Sequence, residues 1–223
     1  MDIAAPRLSA RLAQYVRSDL SSVSLLASNL VTLGLALVQN WSAGTLLWIY
    51  WGQSVIIGFF NFVRMLLLKE FSTEGLKSGG KSVDPTPQAR RSLAFFFLFH
   101  YGGFHLVYAI FLVALAVKGA ATGTAGGSLD LEAMGLCLAV FFVNHAFSFM
   151  YNLRSDRQRV MNIGTLMVFP YARILPMHLT IIFGSMLPWN RGVLLLFLSL
   201  KTGADLIMHV IEHAALGESS PPS

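Results

Sequence analysis

The chain has 223 residues, 55% of them hydrophobic and only 12% charged, with a formal charge of +5. Soluble domains carry about 25% charged residues, so this composition excludes an ordinary soluble domain and marks a protein with several membrane spans. The one cysteine, Cys137, excludes a disulfide framework and any cysteine-based zinc or iron–sulfur centre.

Residues 1–20 form a polar lead-in bearing Arg7, Arg11 and Arg17. Leu8, Leu12 and Tyr15 fall near one helical face, so this cytoplasmic segment reads as an amphipathic helix lying on the membrane, or as a solvated one. The first apolar run begins near Ser21 without a cleavage site, and no signal peptide is expected. A spanning helix needs about 20 mostly apolar residues. Six stretches qualify: 21–39, 44–68, 92–117, 131–153, 164–187 and 192–215. The expected fold is all-α, a polytopic transmembrane helix bundle of six spans over residues 21–215, with a disordered tail at 216–223. Residues 72–90, between spans two and three, read as a mobile loop.

Basic residues orient the bundle. Arg7, Arg11 and Arg17 precede span one; Lys69, Lys77, Lys81, Arg90 and Arg91 separate spans two and three. Arg154, Arg157 and Arg159 separate spans four and five, whereas the alternate connections hold only Lys118 and Arg191. Positive charge stays inside, which places both termini in the cytoplasm and the chain in the cell (inner) membrane. Basic residues that flank apolar runs point to the lipid bilayer as partner and away from nucleic acid.

All six histidines, His100, His105, His145, His178, His209 and His213, fall within these spans. Ionisable residues in hydrocarbon are costly and usually face a bundle interior or a functional site. One such histidine is ordinary packing; six with none in the loops point to a common purpose. They sort by depth into two adjacent layers on spans three to six. His209 and His213 are i and i+4 on one face, with Asp205 one turn away as ligand or supporting partner. His100 and His105 are i and i+5, pointing apart on a regular helix; a π-bulge at Gly102 and Gly103 would align them, and otherwise each serves a different layer. HVIEH also fits the inverted zinc-peptidase pattern, with Glu212 as base; the bland reading of Glu212 is a residue reaching water near the helix end.

Asn61, Arg64, Asn144 and Arg173 lie at matching depth as supporting or substrate-binding residues. The asparagines also suit interhelical hydrogen bonding, and Arg64 also suits reaching headgroups. Arg173 is too deep for that and is expected to pair with Asp205, Glu212 or an anionic ligand. Pro170 and Pro176 free backbone carbonyls and kink span five. Trp51 and Gln53 fall in the outer half, away from the histidines.

The series WGQSVIIGFFNFVRM, FFFLFHYGGFHLVY, FFVNHAFSF, ARILPMHLTIIFG and KTGADLIMHVIEH resembles a prokaryotic membrane family, domain of unknown function 6498, over residues 40–215. The resemblance implies a polytopic prokaryotic membrane protein and brings no activity with it. From the residues themselves, the expected cofactor is a transition-metal ion, one or two, of zinc, iron or copper, since imidazoles with a carboxylate suit these metals. The expected function is a metal-dependent intramembrane hydrolase or oxidoreductase acting on a lipid or small hydrophobic substrate, with Glu212 or Asp205 catalytic. The alternatives are a metal-ion or proton transporter using the same histidines, and a haem-binding membrane protein.

Overall fold

Ser42 starts the first continuous helix in the computed structural model, which describes residues 41–122, 129–156 and 160–172 and single positions at 27, 31, 34, 38, 174 and 203. Its hydroxyl accepts from the Thr45 N–H at 3.1 Å, taking up a donor that the first turn leaves free. Helix α1 then runs over Ala43–Leu67. Helix α2 covers Pro87–Thr122 and helix α3 covers Leu131–Asp156. These three are long and apolar enough to cross a membrane, and the chain is a mostly helical membrane protein. The 36 residues of α2 reach about 54 Å, well beyond a hydrocarbon core of about 30 Å, so its ends lie outside the apolar layer.

Among the described helices α1 is the central one, packed on α2 along one side and on α3 along another. It runs parallel to α3. At the start, the Asp130 N–H donates to Thr45 Oγ1 at 3.1 Å, while Asp130 Oδ1 caps α3 by accepting from the Ala133 N–H at 2.9 Å. At the other end, Arg64 forms a two-pronged ion pair with Asp156, at 2.7 Å and 2.9 Å. α1 and α2 run antiparallel, with Trp51 against His105 and Ser54 against Tyr101. Two glycines let the helices approach: a Cβ at Gly52 would meet Leu138 Cδ2 at 2.6 Å, and one at Gly58 would meet Tyr101 Cε1 at 2.3 Å.

The connection after α1 is ordered, which corrects the expectation of a mobile loop. Strand β1 (Phe71–Ser72) pairs in parallel with β4 (Met161–Asn162), and β2 (Lys77–Ser78) forms a hairpin with β3 (Lys81–Ser82). The hairpin turns at Gly79 and Gly80, both with positive φ, which glycine adopts without steric cost. The order comes from buried Phe71 and half-buried Leu76 and Val83, and from Thr73 donating to the Val83 carbonyl. Composition alone conceals this, because few apolar residues suffice when a membrane domain supplies the surface they cover. The β1–β4 pair clasps the α1–α2 connection and the connection after α3 together at one end, the same two connections that carry basic clusters in the sequence. Asn162 Oδ1 accepts from the N–H groups of Gly164 and Thr165 at 2.9 Å and 3.2 Å and starts α4, Ile163–Ala172.

Candidate functional site

Along α2 the buried residues are Ala94, Phe97, Tyr101, His105, Tyr108 and Leu112, spaced three or four apart, and this stripe faces α1. His105 is only 3% exposed. Its Nδ1 lies 2.9 Å from the Tyr101 carbonyl one turn back. A carbonyl only accepts, so Nδ1 carries the hydrogen and Nε2 presents its lone pair. That Nε2 is buried and, among the described residues, has no hydrogen-bond partner. An imidazole fixed through one nitrogen to a backbone carbonyl, with the other bare, is the arrangement that metal-ligating histidines use.

The surroundings hold this ring in place. Tyr101 lies 4.3 Å from it, centroid to centroid, and the Tyr101 hydroxyl is pinned to Ser54 by Oγ at 2.8 Å and by the carbonyl at 3.0 Å. Trp51 Nε1 donates to the His105 carbonyl at 2.8 Å. The sequence reading set Trp51 apart from the histidines; the antiparallel packing of α1 on α2 instead brings it against His105. The indole N–H of Trp48, whose ring meets Trp51 edge-on at 5.4 Å, is also buried and, among the described residues, has no hydrogen-bond partner.

His100 sits on a different face of α2. The helix is regular α throughout the Gly102–Gly103 step, so the π-bulge is absent and the two histidines point about 140° apart. His100 is exposed, stacks on Phe96 at 5.2 Å and shares a 2.8 Å hydrogen bond between Nδ1 and the Tyr171 hydroxyl. Tyr171 in turn meets Tyr101 edge-on at 5.5 Å, joining the two histidines through tyrosine rings.

His145 belongs to another seam. It stacks against Phe60 at 6.4 Å and touches Phe141 at 4.4 Å, between α1 and α3. Phe60 and Gly58 are two residues apart on α1, about 160° around the helix, so His145 and His105 lie on opposite sides of α1. Asn144 is half-buried on α3. Among the described residues no three histidine, cysteine or acidic side chains converge. Arg173, His178, Asp205, His209, Glu212 and His213 lie outside the described residues.

Asn61 and Arg64 have structural partners. Pro170 lacks an N–H and leaves the Leu166 carbonyl without its helical donor; Asn61 Nδ2 supplies one at 2.9 Å. Arg64 is held by Asp156. Asn61→Leu is expected to cost about 1–3 kcal/mol by orphaning that carbonyl. Adding Pro170→Ala should recover most of the loss, because alanine restores the missing donor. Denaturant unfolding of the two single variants and the double variant in detergent checks this; no recovery would show that Asn61 acts otherwise.

Tyr101, Tyr171 and Ser54 are not among the residues singled out from the sequence, and Trp51 is singled out there only as distant from the histidines. The signal was present as the stripe spacing of α2 and the matching Trp51, Ser54 and Gly58 face of α1, but only the pairing of the two helices joins them. No curated protein and no solved structure matches the chain. One family model does match, over residues 11–221, and the chain belongs to that family, the family of unknown function DUF6498.

Proposed function

We propose that the chain is a prokaryotic inner-membrane protein of six spans, with both termini in the cytoplasm, whose spans three to six hold a transition-metal ion on histidines. The observation that supports the metal site is His105: an imidazole 3% exposed, oriented through Nδ1, with a buried Nε2 that no described residue satisfies. An unmet acceptor in hydrocarbon costs free energy, and a metal ion offsets that cost.

In this reading His105 contributes Nε2, and His178, His209 and His213 with Asp205 complete the set from spans five and six. His100, turned about 140° from His105 on α2, serves the other layer through its own Nε2. His145 lies on the far side of α1 from His105, so as a ligand it would serve a separate position in the α1–α3 seam. Zinc would supply an activated water, and iron or copper would supply redox chemistry. Glu212 or Asp205 serves as the base, and the exposed aromatic surface of α2 admits a lipid or small hydrophobic substrate. The activity is that of a metal-dependent intramembrane enzyme.

Elemental analysis and an optical spectrum on untagged, chelator-free protein test the reading. Stoichiometric zinc, iron or copper is expected, strongly reduced in His105→Ala and absent in the combined His209→Ala, His213→Ala variant. Metal content unchanged in both variants would refute the assignment, and a Soret band would replace it with haem.

A further inference from the structure

At the clasp end, Arg90 reaches back from the first turn of α2 and donates from Nη1 to the Leu68 carbonyl at the end of α1. This contact places Arg90 at the residue before Lys69, with Arg91 next to it on α2. Arg90 is half-buried, its Nε is buried without a partner, and among the described residues it has no carboxylate partner. The acidic residues nearby in sequence, Glu70, Glu74 and Asp84, are exposed and form no ion pair with it. Arg91 and Lys69 are exposed. The first turn of α2 contains no acidic residue to balance them. A guanidinium left half-buried beside two more cations calls for an anion.

We infer that Lys69, Arg90 and Arg91 bind the phosphate headgroup of an anionic phospholipid where α1 leaves the membrane and α2 enters it. The depth fits. The apolar part of α1 ends at Leu67 and that of α2 begins near Ser92, so the three cations lie at headgroup level. The surface below them fits as well. Arg91, Phe95 and Phe99 are i, i+4 and i+8 on one face of α2, and the two phenylalanines are 46% and 75% exposed, with their rings stacked at 6.5 Å. A cation above a strip of exposed rings matches a phosphate above acyl chains. Guanidinium groups bind phosphate oxygens in pairs, and basic pockets between helices on the cytoplasmic face hold anionic headgroups in this way. The inference requires a membrane-embedded chain and is independent of the metal site.

The full-length protein in neutral detergent, titrated with phosphatidylglycerol or phosphatidylcholine, tests it by native mass spectrometry and thermal unfolding. Phosphatidylglycerol is expected to stay bound and raise Tm, with phosphatidylcholine doing neither. Lys69→Gln with Arg91→Gln, both exposed positions, should weaken phosphatidylglycerol binding roughly tenfold while leaving the lipid-free Tm unchanged. Arg90→Lys should weaken it too, since lysine cannot present two parallel donors. Equal binding of the two lipids, or undiminished binding by the double variant, would overturn the proposal. Displacement of the lipid by an equal concentration of inorganic phosphate would also overturn it, in favour of a soluble anion. Insertion of the chain into lipid nanodiscs, measured separately, tests the membrane reading itself.

Discussion

Arg64→Ala is expected to lower folding stability by about 3 kcal/mol, the low end for breaking a buried ion pair by removing one partner. The Arg64 and Asp156 side chains are 18% and 12% exposed, so water reaches the rim of the pair but does not solvate it. The geometry is two-pronged, Nε to Oδ2 and Nη2 to Oδ1, and the guanidinium also lies 4.0 Å from Met161 Sδ. Removing the arginine strands the Asp156 carboxylate in a half-apolar seam. The position matters because the pair joins the last turns of α1 and α3 next to β4, where the clasp is built. Arg64→Met combined with Asp156→Leu should recover most of the loss, since neither charge is then left alone. Denaturant titration in detergent measures all three variants. An Arg64→Ala protein as stable as the parent would mean that the pair is a solvated surface contact.

Gly58→Val is the second large effect, expected to cost about 1–3 kcal/mol through overpacking. A Cβ alone would sit 2.3 Å from Tyr101 Cε1 and 2.8 Å from Cδ1, and valine adds two branches. The ring cannot swing aside cheaply, because its hydroxyl is fixed to Ser54 by two hydrogen bonds. α2 must therefore move away from α1, carrying His105 from Trp51. With the metal site proposed above, the prediction links packing to that site: Gly58→Val should reduce metal content as well as Tm. Trp51 fluorescence should shift as its N–H loses the His105 carbonyl. Full stability with unchanged fluorescence would show that the helices do not approach so closely.

The helices were legible because hydrocarbon sets a length, and unbroken apolar runs announce it. The stretches 44–68, 92–117 and 131–153 became Ala43–Leu67, Pro87–Thr122 and Leu131–Asp156. The extra turn at the start of α2 was invisible to hydropathy, since Gln88, Arg90 and Arg91 are helical without being apolar. The loop at 72–90 misled for the converse reason: its polar, glycine-rich composition is that of a mobile segment, and a few contacts, Phe71 and Leu76 against the helices with Thr73 bonded to the Val83 carbonyl, give it order.

The sequence by itself determined that this is a helical membrane protein and that its six histidines sit within apolar runs, because burial in lipid imposes composition directly. It also marked Pro170 as a residue that leaves a carbonyl unmet, a property of the proline ring. Which group meets that carbonyl was decided only by tertiary structure, as were the Arg64–Asp156 pair and the contact of Trp51 with His105. Their partners are separated by 105, 92 and 54 residues. Such contacts depend on which face of α1 meets which neighbour, and no local pattern encodes that choice. The same packing divides the histidines, turning His105 toward α2's seam with α1 and His145 toward α3's.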